Sequence, residues 1–253
     1  MSSNETTSAI SLDKSNARIR SMFGSIAPYY DVLNHLLSLN IDKSWRAQTV
    51  KRVPPILGEG PVLDLCTGSG DLAIAYHQAG QGKIAVYGAD FCGPLLDRAC
   101  RKSTKISKKS QESIRYFQAD AQRLPLRANQ FQIVSVAFGL RNIADTDQAL
   151  AEMTRVCKPG GKVVVLEFSK PRAKVLDKLY LWYFRSVLPR VGQWFSKSPD
   201  AAYKYLPASV LAFPDYEALC QRMEQQGLSN VSYHPLTFGV ATIYVGQKPT
   251  VTS

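Results

Sequence analysis

The sequence predicts an α/β protein: an open, mostly parallel sheet of seven strands, with a helical lid before it and a helical insertion ahead of the last strands. Three observations predict it. Val62-Leu63-Asp64-Leu65 reads as an apolar strand, followed by the tight turn Cys66-Thr67-Gly68-Ser69-Gly70 and a helical pattern from Asp71. Ile84 to Asp90 repeats the arrangement, a second apolar run ending in an acid. Strand and helix patterns then alternate for five units and finish on an antiparallel pair.

Taken in order, residues 1–15 are polar and read as a disordered tail, and 16–253 as a single domain. Within it, 16–55 forms the lid and 170–214 the insertion. Ile19, Met22, Phe23 and Ile26 recur at helical spacing in a lead-in that runs from Asn16 to Trp45. Gly93 to Ser103 is the helix after the second strand, and Lys102 to Lys109 an exposed basic loop. Ile114 to Ala119 is the third strand, Phe131 to Ala137 the fourth. The latter is a near-continuous apolar run, as a strand covered on both faces requires. Thr146 to Cys157 is a helix, Lys158 to Lys162 a turn, and Val163 to Phe168 the fifth strand. An aromatic helical stripe follows (Leu176, Leu179, Tyr180, Tyr183, Phe184, Val187), then a loop-like stretch from Leu188 to Leu206. Tyr216 to Gln226 is the last helix, and Leu228 to Tyr233 with Thr237 to Gly246 the closing pair.

The chemistry begins at the first turn. Its glycines let the backbone approach a ligand where a Cβ would collide. The pattern is D-x-C-x-G-x-G, with Cys66 at the first glycine of a dinucleotide fingerprint and Asp64 beside it. An acid there suits an amino-bearing ligand better than a pyrophosphate, which favours S-adenosylmethionine over a nicotinamide dinucleotide. Asp90, at the tip of the second strand, can accept hydrogen bonds from both ribose hydroxyls. Asp120, after the third strand, can meet the adenine amino group. Thr67, Gly68, Gly70, Phe91 and Ala121 complete the expected cofactor-binding set drawn from these turns. The fourth strand delivers Phe138-Gly139-Leu140-Arg141-Asn142 to the carboxyl edge of the sheet, where open α/β sheets bind ligands.

Composition narrows the setting. Five cysteines, at 66, 92, 100, 157 and 220, include no C-x-x-C pair, which fits a reducing compartment and gives no metal site. No apolar run approaches the ~20 residues of a membrane-spanning helix. The first twenty residues lack the apolar core of a secretory signal. The expectation is a cytoplasmic protein. A net charge of +11 suits nucleic acid, an anionic membrane surface or an acidic substrate. A nucleic-acid methyltransferase would carry an Asn-Pro-Pro-aromatic type of segment after the fourth strand, or a Pro-Cys nucleophile. Phe138-Gly139-Leu140-Arg141 is neither, so no nucleic-acid partner is expected.

Four further segments carry a resemblance. They are Tyr30-Asp31-Val32-Leu33-Asn34 through Ser38 to Trp45; Arg155-Val156-Cys157-Lys158-Pro159-Gly160-Gly161 through Glu167-Phe168-Ser169; Phe138 to Asn142; and Tyr205-Leu206-Pro207 with Phe213-Pro214. From about Met22 to Lys248 the chain resembles the UbiE/MenG-type quinone-biosynthesis C-methyltransferase family, which methylates ubiquinone and menaquinone precursors. The resemblance implies a class I, Rossmann-like S-adenosylmethionine-dependent methyltransferase fold with S-adenosylmethionine as cofactor. It departs at Asp42, where the family usually has His, at Asn40 (Gly), at Cys157 (an aliphatic) and at Ala137, where some relatives place a Ser in the cofactor pocket.

It also implies methylation of a ring carbon on a prenylated quinol. The basic chain and Asp90-Phe91-Cys92-Gly93 point within the family to the demethylphylloquinol or demethylmenaquinol step, with a ubiquinone-type benzoquinol or another small molecule as the alternative. Arg141 and Asn142 are the expected catalytic pair at the acceptor, with Tyr30 and Asp31 of the lid as second candidates and His35 and His234 as further possible bases. A prenyl tail keeps such a substrate in a bilayer. Peripheral contact with an anionic membrane surface is therefore expected through Lys170, Arg172, Lys174 and Lys178 beside Trp182, Tyr183 and Trp194. A homodimer is the assembly expected.

Overall fold

The computed structural model of the chain describes residues 14–27, 30, 31, 35, 38, 40–106, 112–172 and 200–250. The aromatic stripe from Leu176 to Val187, with Lys174, Lys178, Trp182 and Trp194, lies outside the described residues, as does most of the N-terminal tail.

Seven strands form one sheet: β1 (Val62–Leu65), β2 (Val86–Asp90), β3 (Ile114–Gln118), β4 (Phe131–Ala137), β5 (Cys157–Phe168), β6 (Ser229–Leu236) and β7 (Ala241–Gln247), in the order β3-β2-β1-β4-β5-β7-β6. β1 to β5 pair in parallel, and β7 runs antiparallel to both β5 and β6. The period-2 alternation of strand side chains splits the core in two. Leu63, Val134, Val163 and Val165 face Leu150 and Met153 of α5 (Thr146–Val156) together with Leu219 and Met223 of a C-terminal helix. Val62, Val86, Ile133 and Val164 face the opposite helices, against Trp45, Val50, Leu72 and Ala73.

Those helices are α1 (Asn16–Ile26), α2 (Ile41–Arg52), α3 (Asp71–Ala79) and α4 (Gly93–Ile106) before α5, then α6 (Asp200–Ala212) and α7 (Glu217–Gln225). The lead-in is therefore not one helix, because α1 and α2 are separate elements. Asn40, where the family has Gly, starts α2 at φ +61°, a left-handed conformation that Asn tolerates better than other non-glycine residues. Asp145 caps α5, its side chain accepting the Gln148 amide at 2.9 Å.

Several boundaries differ from the periodicity. Ile84 and Ala85 precede β2 rather than start it. Lys102 to Ile106 completes α4, where Leu95, Leu96, Ala99 and Ser103 keep the buried stripe; Lys102 is helical and ion-paired, and residues 107–109 of the expected loop lie outside the described residues. Asp200 to Leu206 is helical and belongs to α6, which continues through Pro207. Tyr216 stands at φ +50° outside α7. Thr237–Gly239 forms a 3₁₀ turn between β6 and β7. The expected turn after α5 lies inside the span of β5: Cys157 pairs with Phe131, the chain bulges, and pairing resumes at Lys162 with Ile133. Among the described residues, no helix is long and apolar enough to cross a membrane.

Candidate active site

β1 lies between β2 and β4, so the chain leaves neighbouring strands in opposite directions at this point of the sheet. The loops beyond their carboxyl ends diverge and leave a crevice, the usual ligand position in an open α/β sheet. A cavity enclosing about 640 Å³, counting space open to solvent, occupies it. Leu65 and Cys66 line it from β1, Ala89, Asp90 and Phe91 from β2, and Ala119 to Gln122 from β3. Phe138, Gly139, Asn142 and Ile143 line it from β4, Leu95 from α4, and Phe23 and Tyr30 from the lid.

The β2–β3 side is rich in acceptors. Asp90 is buried; one carboxylate oxygen accepts the Gly68 amide at 2.9 Å and the other the Cys92 amide at 2.8 Å. Burial raises its pKa from the usual carboxylate value, against the backbone N–H groups of Cys92, Gly68 and Phe91. A carboxylate offers about four lone-pair sites. Two amides leave accepting capacity for a vicinal diol, which is the fit a ribose needs. Asp120 is held at the cavity by the Gln122 amide, 2.9 Å away, and by the Gln122 side chain at 3.0 Å. Phe91 and Ala121 supply apolar wall beside it, and Arg20 lies over the Phe91 ring at 5.7 Å. These residues fit a nucleoside with a free diol and an amino-bearing base.

The glycine turn supports the site from below. Gly68 points its N–H at Asp90. Gly70 starts α3 at φ +85°, and a Cβ there would stand 2.5 Å from the Tyr116 hydroxyl, so packing against β3 and α4 requires this glycine. Asp64 does not line the cavity. It shares the sheet face of Val62, in register with Ser135, and accepts hydroxyls from Thr67 at 2.6 Å and Ser135 at 2.9 Å. Burial pushes its pKa up to about 7, outweighing those two hydrogen bonds and the charge of Arg46. Thr67 is occupied with Asp64, and Ala137 packs in the core face behind Phe138 rather than on the cavity wall.

The β4 side is built differently. Gly139 crosses so close to Cys66 that a Cβ would stand 2.3 Å from the Cys66 Cβ. Cys66 at φ +49° and Phe138 at φ +56° both hold left-handed backbones at this crossing. Such residues cost about 1–3 kcal/mol each and persist only where packing fixes them. Here Phe168 packs on Phe138 at 4.6 Å and Trp45 at 5.8 Å. Beyond the crossing, the 3₁₀ turn Leu140–Asn142 carries the expected acceptor pair. Asn142 reaches the cavity. Arg141 does not: it is buried, and Nη1 donates to Glu167 at 2.8 Å and also to the Phe138 carbonyl.

Of the lid pair, Tyr30 lines the cavity and lies within 3.4 Å of where a Gly68 Cβ would be. Asp31 turns outward, accepting from Ser69, from Arg98 at 3.3 Å and from Lys102 at 3.4 Å. Although burial opposes it, these partners hold the Asp31 pKa below its usual value. Neither histidine considered as a base lines the cavity. His35 pairs through Nδ1 with Asp42 at 2.9 Å, and His234 lies 3.4 Å from Ser232 on β6. Asp42, in place of the family's His, is buried and also accepts from Ser38 and Arg46, which makes it an anchor at the root of the lid.

The sequence reading missed Gln122, Phe23, Leu95 and Glu167. Gln122 follows the expected Asp120-Ala121 pair directly, so spacing alone points to it. Glu167 sits in an apolar strand, where a carboxylate 1% exposed is a signal in itself. Phe23 and Leu95 belong to ordinary amphipathic helices and leave no sequence trace of a cavity.

The fold and the crevice define a class I S-adenosylmethionine-dependent methyltransferase. Residues 11–248 match the ubiE/COQ5 methyltransferase family, and the chain belongs to that family. It is 43% identical to the demethylmenaquinone methyltransferase of Deinococcus radiodurans over 93% of this chain and 94% of that one. With the ubiquinone/menaquinone biosynthesis C-methyltransferase of Geotalea daltonii it shares 40% identity over 94% of this chain and 99% of the relative. Among solved structures, a Thermotoga maritima S-adenosylmethionine-dependent methyltransferase, possibly acting on histamine, superposes with a TM-score of 0.64 at 18% identity, over 90% of this chain and 99% of that one. Haemonchus contortus phosphoethanolamine N-methyltransferase 2, solved with S-adenosylmethionine, gives 0.60 at 16% identity, over 82% and 53%. At those identities the likeness is one of fold. The chain is thus an S-adenosylmethionine-dependent C-methyltransferase of quinone biosynthesis.

Proposed function

We propose that the acceptor is a prenylated naphthoquinol, with the demethylphylloquinol or demethylmenaquinol step as the reaction. The observation that carries this reading is the division of the cavity: carboxylates under β2 and β3, and an apolar, amide-bearing wall after β4. The bound cofactor supplies an electrophilic methyl group on a sulfonium. Asp90 and Asp120 hold its sugar and base, with Phe91 and Ala121 packed alongside and Gly68 fixing Asp90. The acceptor lies against Phe138, Gly139, Asn142 and Ile143, with Tyr30 above.

A quinone ring carbon is electron-poor, whereas a quinol that loses a hydroxyl proton places negative charge on the adjacent carbon. The hydroxyl needs only a mild base, since a phenol ionises near pH 10. Asn142 holds that hydroxyl together with a water molecule that takes the proton. Arg141, paired with Glu167, supports the turn that carries Asn142. Asp64, Thr67, Gly70 and Ala137 act as support for the loops, and Asp31 anchors the lid that carries Tyr30. Relatives named for demethylmenaquinone support a naphthoquinol, while others are named for ubiquinone and menaquinone together, so the ring is decided by the test. The test is labelled methyl donor with reduced naphthoquinol and benzoquinol acceptors side by side, products identified by mass. Label in the benzoquinol alone overturns the reading.

The protein works at a membrane surface from the cytoplasmic side, because burying each CH₂ of a prenyl tail is worth about 0.8 kcal/mol and the tail does not leave lipid for water. Lys170 lies 3.6 Å from Asp215, and Arg172 pairs with Glu217, so their charges are partly spent. The attraction to anionic lipid is assigned instead to Lys174 and Lys178. Vesicle flotation with both changed to Gln should lose binding; undiminished binding removes the assignment. The assembly is a homodimer, to be measured by light scattering.

A further inference from the structure

One amide holds the part of the cavity wall that follows β3. Gln122 lines the cavity beside Asp120, and all four of its polar atoms are engaged. Its backbone N–H donates to Asp120 Oδ1 at 2.9 Å. Its Nε2 donates to the same oxygen at 3.0 Å and to Oδ2 at 3.2 Å. On the other side, Oε1 accepts the Asp145 amide at 3.0 Å, and the Gln122 carbonyl accepts Gln148 Nε2 at 3.3 Å.

These neighbours fix the direction of the amide. A backbone N–H can only donate, so the end facing Asp145 must be the oxygen. An ionised carboxylate can only accept, so the end facing Asp120 must be the nitrogen. Turning the amide over would set donor against donor at Asp145 and acceptor against acceptor at Asp120. The frame around it is fastened too. Asp145 caps α5, and farther along the loop the Leu124 amide donates to Glu152 of α5 at 2.8 Å. Arg155 of α5 donates to the carbonyls of Leu124 at 3.2 Å and Leu126 at 2.8 Å. The loop after β3 is thus tied to α5 from residue 122 to residue 126, and Gln122 carries that attachment to Asp120. Held by the backbone and side-chain nitrogens of Gln122 together, the Asp120 carboxylate cannot turn without breaking one of these contacts.

We infer that Gln122 is a positioning residue: it fixes the Asp120 carboxylate as an oriented acceptor, and so makes the cavity select a purine that carries an amino group over one that carries an oxo group at the same ring carbon. The inference rests on the proposed place of the cofactor's base at Asp120. An exocyclic amino group donates to the carboxylate. An oxo group brings a second acceptor, and lone pair meets lone pair. If Asp120 were free to swing aside, that repulsion would be relieved and the two bases would bind alike. The selectivity therefore needs Gln122 as well as Asp120, although Gln122 acts through Asp120.

The experiment is calorimetry on the full chain, titrated separately with S-adenosylhomocysteine and S-inosylhomocysteine, which carry the amino and the oxo group. Wild type should bind the adenosyl compound roughly 10-fold to 100-fold more tightly, the range set by leaving hydrogen-bonding groups unmatched. Asp120→Asn, whose amide can present either end, should bring the ratio near one.

Two variants test Gln122. Gln122→Met removes both polar ends at nearly constant volume. Gln122→Glu keeps an acceptor for the Asp145 amide but sets carboxylate against carboxylate at Asp120. Thermal unfolding identifies the folded variants, and one folded variant is enough to decide. In it the ratio should fall to within about three-fold of one, with most of the change in the adenosyl compound. A ratio kept at the wild-type value overturns the inference. So does an equal loss of affinity for both compounds, which would make Gln122 a support of the wall and nothing more. A wild type that prefers the adenosyl compound but is indifferent to Gln122 defeats this inference alone. A wild type without that preference, or one whose preference survives Asp120→Asn, removes the base from Asp120 and defeats that reading and the inference with it.

Discussion

The Asp90 carboxylate accepts the Gly68 amide at 2.9 Å, joining the tip of β2 to the glycine turn after β1. The same carboxylate takes the Cys92 amide at 2.8 Å, so it is oriented from both sides before any ligand arrives. A charge-assisted hydrogen bond contributes about 1.5–3 kcal/mol, and a ribose can make two. Asp90→Ala should weaken S-adenosylhomocysteine binding by about 100-fold or more, and Asp90→Asn by less, because one accepting oxygen remains. Calorimetric titration of the two variants reads both numbers, and an unchanged affinity in Asp90→Ala would remove the sugar from this carboxylate.

Asp64 controls stability as a function of pH. An unfolded Asp titrates near 3.9; in the folded chain burial raises it to about 7. The native state therefore holds a proton that the unfolded state has released. The stabilising contribution is complete below about pH 4 and is lost as pH rises through about 7. Asp64→Asn mimics the protonated form. The stability gap between variant and wild type should shift in the variant's favour from pH 4 to pH 7 and flatten above it. Urea unfolding across that range checks the slope.

Gly139 is a packing requirement. A methyl group there would lie 2.3 Å from the Cys66 Cβ, between two loops whose backbones are already left-handed. Gly139→Ala should cost about 1–3 kcal/mol of stability by overpacking. It should also lower quinol turnover, because Asn142 rides on the displaced loop. Partial recovery of the melting temperature in Gly139→Ala with Cys66→Gly would confirm the clash, since that second change removes the opposing Cβ.

The lid is fastened by charge. Asp31 meets Lys102 at 3.4 Å and Arg98 at 3.3 Å; Lys102 continues to Asp71, and Asp71 to Arg46 at 3.7 Å. These side chains are partly exposed, so salt should loosen the network. Cofactor affinity of the wild type should fall several-fold between about 0.05 M and 1 M salt, across which the screening length shrinks severalfold. In Asp31→Asn it should start lower and depend less on salt. Equal salt slopes in the two proteins would place the sensitivity elsewhere.

The two kinds of site residue differ in how far the sequence exposes them. Asp90 ends β2, and Asp120 and Asn142 lie two and five residues beyond β3 and β4; all three line the cavity, because the end of a parallel strand fixes where the next residues go. Arg141 stands in the same turn as Asn142 but looks the other way, and no spacing tells which of two adjacent side chains on a 3₁₀ turn meets the ligand. Asp64 stands off the cavity wall for a related reason: alternation puts it on Val62's face, whereas the cavity opens past the strand end. Asp200 to Leu206 read as a loop because its amphipathic pattern is weak and Pro207 interrupts it; Tyr205 packs on Ile19 and Met22 of α1.

By itself the sequence determined the run of parallel strands and the acids at the ends of the second and third, since both follow from local periodicity and from strand ends. The tertiary structure decided which polar groups face the cavity and which face each other. Glu167 with Arg141, and Asp31 with Lys102, are joined across 26 and 71 positions of chain, and a buried charge finds its counter-charge by packing, at distances along the sequence that no local pattern encodes.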